Sequence, residues 1–235
     1  MSILTALRPL AQLFFPPICL SCQRQLSPSE PMICIICHAK LDTTQFHEHS
    51  HDNTLVRRFW GRLHLEHATA YWFYRKKSPV RPIIHAFKYH SRPQVATHFT
   101  KEYAERYLNK SKIMADIDCI VPIPIHSSRQ RKRGYNQSAV IAEALSQHFQ
   151  IPWSDNWVKR TVATDTQTKK SSSFERWDNV QTIFEIPKPE LLNNKHILLV
   201  DDVITTGSTI ESCGVSIREA TKGTRFSILG LACRL

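Results

Sequence analysis

Two adjacent carboxylates, Asp201 and Asp202, stand at the end of an uninterrupted apolar run that begins at Ile197. Three residues later comes a turn rich in hydroxyls, Thr205-Thr206-Gly207-Ser208-Thr209. Hydroxyls and free backbone N–H groups are donors suited to a phosphate, and a glycine lets the backbone approach closely or take a positive φ. Two carboxylates beside a phosphate make chemical sense when they accept hydrogen bonds from sugar hydroxyls, directly or through a hydrated Mg²⁺. Together these types and spacings suit a ribose 5-phosphate. The plain alternative is a buried strand running into a Ser/Thr-capped helix.

Such a site needs elements to position it. The apolar run reads as a strand buried on both faces, as in a parallel sheet. Ile210, Cys213, Val215, Ile217 and Ala220 then follow helical spacing from about Ser208. In open α/β sheets, ligands bind beyond the carboxyl ends of strands, where a following helix presents its N-terminus to an anion. The arrangement is repeated upstream. A short strand, Asp118 to Val121, ends in PIPIH, and a basic loop from Ser127 to Gly134 leads to helical periodicity from Tyr135 to Phe149. Arg129, Arg131, Lys132 and Arg133 put four cations within five residues, too concentrated for an ordinary surface helix. A polyphosphate contact, a nucleic-acid contact and a solvated loop all remain compatible with it. Other expected elements are a strand from Ala68 to Tyr74, a helix opened by Pro79 and running towards Lys88, and a helix from about Pro93 to Leu108. Further strands are expected at Trp157 to Thr161, Thr182 to Ile186 and Thr224 to Leu231.

Cysteines form a second cluster. Cys19-x-x-Cys22 and Cys34-x-x-Cys37 offer four thiolates on two turns, the set that tetrahedral zinc takes. Four protein ligands close the coordination sphere, so such a zinc is structural, and the intervening stretch has little apolar material with which to fold alone. Two disulfides are the rival arrangement, disfavoured where no secretory signal is seen. Cys119, Cys213 and Cys233 read as core thiols, and His47, His49 and His51 as a solvated loop in preference to a weak metal site.

The 235 residues suit one α/β domain with a small appendage, divided here at 1–55 and 56–235. A formal charge of +11 favours anionic partners. No apolar run approaches the 18 or more residues of a spanning helix, and a cytoplasmic protein is expected. Ile3, Leu4, Leu7, Leu10, Leu13 and Phe14 fall near helical spacing. A helix docking on its own protein is preferred to an interfacial anchor, because the segment carries one basic residue.

VDDVITTGST resembles the phosphoribosyl pyrophosphate (PRPP) motif of the type I phosphoribosyltransferases. PIPIHSSRQRKRGYNQ is similar to the signature of the ComF family of competence-associated, phosphoribosyltransferase-like proteins, with Arg129, Arg131, Arg133, Gly134, Asn136 and Gln137 on the family's positions. The paired CxxC motifs, Lys88 in HAFKYHSRP, and Thr164, Gln167, Arg176, Asn179 and Phe184 in a third block fit the same family. In that block the Gln-to-Arg spacing is one residue longer than usual, and TKKSSS replaces a leucine common there. The resemblance implies a parallel sheet flanked by helices, with a small N-terminal zinc module. It implies PRPP and Mg²⁺ as ligands: Asp201 and Asp202 at the ribose, Thr205 to Thr209 at the 5-phosphate, and Lys88, Arg129, Arg131, Arg133 and Gly134 at the pyrophosphate. Gln167, Arg176 and Asn179 would belong to a mobile loop over the site. It further implies handling of single-stranded DNA beside a helicase-like partner during natural transformation, or else transfer of ribose 5-phosphate to a nucleobase or amine. Phe59, Trp60, Trp72 and Tyr74 are candidate stacking platforms for a strand, with core packing the preferred alternative for Trp72 and Tyr74. No hood for recognising a base is identifiable.

Overall fold

In the computed structural model of the chain, residues 16–89, 92–161 and 183–234 are described. The expected N-terminal helix (Ile3 to Phe14) and the loop residues Gln167, Arg176 and Asn179 lie outside them. In chain order the elements are α1 (Ile35–Ala39), α2 (Thr54–Arg57), β1 (His67–Phe73), α3 (Val80–Tyr89), α4 (Pro93–Arg106), β2 (Cys119–Pro122), α5 (Ser127–Arg133), α6 (Gln137–Phe149), β3 (Lys159–Arg160), β4 (Phe184–Glu185), β5 (His196–Ile204), α7 (Ser208–Ala220) and β6 (Arg225–Cys233).

Four strands form one parallel sheet in the order β1-β6-β5-β2. Its strands lack the polar alternation of a half-exposed sheet because both faces are covered, the usual condition of an all-parallel sheet. Side chains alternate between the two faces all the same. Ile197 and Leu199 of β5 join Cys119 and Val121 of β2 in a core closed by Ile210, Cys213 and Ile217 of α7 and by Leu55 and Phe59. Leu198 and Val200 face the other way with Ile120, into a core built from Ile83 and Phe87 of α3, Phe99 and Tyr103 of α4, and Ile141 and Leu145 of α6. Cys119, Cys213 and Cys233 are buried free thiols, as expected.

The cysteine module shares that second core: Cys19, Leu26, Ile33, Cys34 and Cys37 pack with Tyr71 and Trp72. A polar tie reinforces the contact. Glu102 of α4 accepts the Tyr71 hydroxyl and pairs with His38 Nε2 at 2.9 Å, joining α1 to the sheet. Burial alone would raise the Glu102 carboxyl, yet these hydrogen bonds and the Arg106 charge hold it below the usual range.

Three expectations need correction. The strands at Trp157 to Thr161 and Thr182 to Ile186 do not join the main sheet. Lys159–Arg160 and Phe184–Glu185 pair antiparallel with each other as a separate two-stranded unit. Apolar alternation over so few residues specifies extended backbone without specifying its partner. The basic segment is helix α5 and not a loop: the His126 side chain caps it by accepting from the Ser128 N–H at 3.2 Å, and Gly134, at φ 83°, ends it with an N–H bond to the Gln130 carbonyl of 2.7 Å. Finally, Phe59 and Trp72 are fully buried and cannot stack on a ligand, whereas Trp60 is 66% exposed. Trp72 thus takes the core role preferred for it, and Tyr74 is partly buried against the same core.

Candidate functional site

At the carboxyl ends of β2 and β5 the chain encloses a cavity of about 350 Å³. Asp201 and Asp202 form one wall, Arg129 and Arg133 of α5 another, and Lys88 at the end of α3 a third. The helical form of α5 decides which cations arrive. Residues four apart share a helix face, so Arg129 and Arg133 point to the cavity together, while Arg131 lies off it and is exposed. Gly134 also stays off the cavity wall, as the helix stop.

The acid pair is held on both sides. Ser138 Oγ donates to Asp201 Oδ1 at 3.0 Å, and the Asp202 N–H donates to the same oxygen at 2.9 Å. Lys88 Nζ lies 3.0 Å from Asp202 Oδ1, and Asp202 is 7% exposed. Burial first, and the Asp202 charge second, push the Asp201 carboxyl up to about 7, against the opposing pull of Lys88. A carboxyl whose folded pKa exceeds its unfolded value of about 3.9 favours folding most below that unfolded value. In metal-free protein, then, the contribution of Asp201 to stability is expected to fall as pH rises from about 4 through 7. Asp201→Asn is expected to flatten that fall, which thermal melts of both proteins between pH 4 and 8 would check; parallel curves would contradict it.

Beyond the acids, Thr205 to Thr209 line a smaller adjoining recess of about 80 Å³ at the N-terminus of α7. Gly207 sits at φ +80° directly before that helix. A Cβ there would come within 2.5 Å of the Phe59 ring, so both conformation and space demand glycine. Thr206 Oγ1 and Ser208 Oγ are 2.9 Å apart, and the first N–H groups of a 13-residue helix face the same recess. A positive dipole end and hydroxyls are features suited to an anion.

Several wall residues were not singled out in the sequence. Ser138 immediately follows the Asn136-Gln137 pair of the motif and could have been found from it. Arg160 reaches the cavity from the β3–β4 unit, with its guanidinium 5.6 Å from the Phe184 ring centre, and no local signal marks it. His85 also lines the wall, as does Tyr74, which the sequence offered as a stacking platform or a core residue. Asn136 serves as the cap of α6, accepting from the Ser138 N–H at 3.1 Å and donating to the Ile123 carbonyl at 3.1 Å. Gln137 is 1% exposed and lines the cavity; its Oε1 accepts from Arg133 at 3.0 Å, while its Nε2 has no partner among the described residues. A buried donor without a partner on a cavity wall fits an acceptor-rich ligand. The acid pair is an oxygen-only donor set, and such a set suits a Mg²⁺ bound through one or two carboxylates together with a substrate's phosphates.

The four thiols of the cysteine module bring their sulfurs within 4.8 Å of one another, with Cys22 Sγ and Cys34 Sγ 3.7 Å apart. Tetrahedral zinc with Zn–S bonds near 2.3 Å requires sulfurs about 3.8 Å apart, so the set fits it. A disulfide would need about 2 Å, and all four are free. The N–H groups of Ser21 and Cys34 point at Cys19 Sγ, at 3.4 and 3.3 Å. Burial raises that thiol, yet backbone hydrogen bonds from Cys22 first, then Cys34 and Ser21, lower it to about 6, favouring the thiolate a metal needs. Among the described residues this is the single group of three or more potential ligands that could hold an ion. His47 instead packs against Tyr107, with ring centres 4.8 Å apart and the rings tilted by 54°.

A parallel sheet with an acid pair and an anion loop at its carboxyl end defines a phosphoribosyltransferase-like domain, and a family model described as "Phosphoribosyl transferase domain" matches residues 136–220. The chain is similar to the DNA utilization protein YhgH of Escherichia coli K12, 32% identical over 56% of this chain and 58% of that protein. It is 38% identical to competence protein F of Haemophilus influenzae over 43% of this chain and 44% of that one. With competence protein ComFC of Bacillus subtilis the identity is 24%, over 89% of this chain and 81% of the relative. The chain therefore spans somewhat over half the length of the YhgH protein it matches. Among solved structures, glutamine PRPP amidotransferase from B. subtilis aligns with 62% of this chain and 30% of its own, at 17% identity and a TM-score of 0.42, a likeness too loose to bear on function. The chain is thus similar to competence-associated proteins of the ComF type and carries a phosphoribosyltransferase-like fold. No helix of the described residues is long and apolar enough to cross a membrane.

Proposed function

We propose that this chain binds PRPP with Mg²⁺ and handles single-stranded DNA during natural transformation, as a cytoplasmic protein beside a helicase-like partner. The observation carrying the reading is the cavity in which Asp201 and Asp202 face Arg129, Arg133 and Lys88, with the Thr205–Thr209 recess adjoining. In it, the ribose hydroxyls meet the acid pair and the 5-phosphate meets the loop. Arg129, Arg133 and Lys88 meet the pyrophosphate, and Gln137 Nε2 donates to one of its oxygens. Lys88 changes partner as the ligand enters, from Asp202 to phosphate. Asp201 and Asp202 would hold a Mg²⁺, whose charge would offset that of the pyrophosphate. Arg131 and Gly134 contribute through helix α5 and its ending. The DNA part of the reading draws on the names of the YhgH and competence relatives and on the net charge. The cysteine module, within 1–55, holds one structural zinc against the domain 56–235.

A second reading is favoured by one observation. The acid pair faces the cation wall across one cavity, so a ribose held at Asp201 and Asp202 would have its C1 beside groups able to take up a leaving pyrophosphate. A nitrogen of a nucleobase or amine would form a bond to C1 of the ribose as the C1–O bond breaks, and pyrophosphate would leave with the electron pair. Arg129 and Arg133 would stabilise the charge that develops on it.

Calorimetric titration of PRPP with Mg²⁺, followed by pyrophosphate release against nucleobases, amines and single-stranded DNA, separates the readings. Saturable binding without release supports the first. Release that depends on one acceptor makes the protein an enzyme, and absence of PRPP binding refutes both.

A further inference from the structure

Beside the cavity lies a second cleft, of about 440 Å³, between the cysteine module and helix α3. Ile18, Leu20 and Gln23 form its module side; Arg81, His85 and Arg92 form the other. His85 lines both spaces, so the cleft lies next to the cavity of the acid pair. Helical spacing explains the alignment. Arg81, His85 and Lys88 fall at i, i+4 and i+7 and share one face of α3, along about 10 Å of helix at 1.5 Å per residue. A row of basic groups thus leads outward from the acid pair, and among the described residues no carboxylate lines this cleft. On the cavity wall Tyr89 is 60% exposed, its ring centre 5.2 Å from that of His85 and 5.6 Å from the Arg133 guanidinium. Cations in a row with an accessible aromatic ring are the elements with which proteins track a single strand and stack its bases.

We propose that this cleft is the binding track for single-stranded nucleic acid: Arg81 and Arg92 hold backbone phosphates, Tyr89 stacks a base, and the strand runs to the mouth of the PRPP cavity. The cysteine module is then the outer wall of the track, which gives its docking beside the site a purpose beyond stability. A competing basic surface exists around His47, His67, Arg106, Lys110 and Lys112. It includes His67, at the start of β1, and so lies towards the opposite end of the sheet from the acid pair. It also contains Glu48, and it shares no lining residue with the PRPP cavity among the described residues. The proposal rests on the DNA part of the function proposed above, and its test keeps the two apart.

The test uses the full chain with a fluorescein-labelled oligothymidine, titrated by anisotropy from 50 to 200 mM salt. Arg81→Ala with Arg92→Ala is expected to weaken oligonucleotide binding at least tenfold at the lowest salt. It should also reduce the slope of log K against log salt by about 1.4, the loss of two single-strand phosphate contacts. PRPP affinity by calorimetry, and the melting temperature, stay at wild-type values, since both arginines are exposed and off the PRPP wall. Lys110→Ala with Lys112→Ala serves as the control and stays within twofold of wild type. Wild-type oligonucleotide affinity and slope in the arginine variant would overturn the track, as would an equal or larger loss in the lysine control. If wild-type protein binds PRPP but no oligonucleotide, the DNA reading falls and the track with it. If it binds oligonucleotide but no PRPP, the PRPP reading falls and the track stands.

Discussion

Replacing Asp201→Asn together with Asp202→Asn is expected to weaken PRPP binding in the presence of Mg²⁺ by at least ~100-fold while the protein stays folded. Hydrogen bonds to a charged partner contribute about 1.5–3 kcal/mol each, and the double change removes two charged acceptors and the anionic ligands of the metal at once. Amides keep the volume, and the amide oxygen that replaces the Asp201 carboxylate can still accept from Ser138, which donates 3.0 Å away in the native site. At neutral pH the change also relieves the burial that raises the Asp201 carboxyl to about 7, so the melting temperature should hold or rise. Lys88 loses its partner, but it is partly exposed and can turn to water. Loss of binding with an unchanged or higher melting temperature would therefore report on the site and not on the fold. An affinity unaltered by the double substitution would refute the assignment of the acid pair to the ribose and Mg²⁺.

Removing the metal from the cysteine module is expected to have the largest effect on stability. Purified protein should carry one zinc per chain by elemental analysis. Stripping it, or making Cys34→Ala, should cost about 4 kcal/mol or more, which for a chain of this size lowers the melting temperature by roughly 8–16 °C. The loss reaches beyond the module, since Cys19, Leu26, Ile33, Cys34 and Cys37 share a core with Tyr71 and Trp72 of the sheet. The Glu102 carboxylate would also lose His38 as a fixed partner. Metal-free protein that melts with the holoprotein would show that the thiols are held by packing alone. If the track along α3 is right, chelation should also weaken oligonucleotide binding, since the module supplies one of its walls.

The strand-acid-loop-helix unit from Ile197 to Ala220 is legible from sequence because each of its parts is local. A doubly buried strand requires an unbroken apolar run, a helix N-terminus at an anion site requires glycine and hydroxyls, and both leave their mark within a few adjacent residues. The cysteine module is legible for the same reason: CxxC spacing is set by a single turn around a metal. The β3–β4 unit is different. Its two strands are two residues each, and pairing between segments more than twenty residues apart leaves no periodic trace. Arg160 is carried to the cavity by that pairing and was invisible for that reason. The basic segment misled in another way. Its charge density masked a helix whose signals, His126 at the start and Gly134 at the stop, are weak beside four cations.

Sequence alone determined the chemistry on offer: two carboxylates, an anion loop, a set of cations and four thiols, each written as a residue type at a local spacing. Tertiary structure decided which of these meet. It turned Arg129 and Arg133 to the acid pair and Arg131 away, brought Ser138 and Lys88 to the two carboxylates, buried Phe59 beneath Gly207, and set the cysteine module along α3. The division has a physical origin. Local hydrogen bonding and backbone sterics act between near neighbours and are encoded in order, whereas the meeting of side chains from different elements is set by how apolar faces pack, a property of the whole chain.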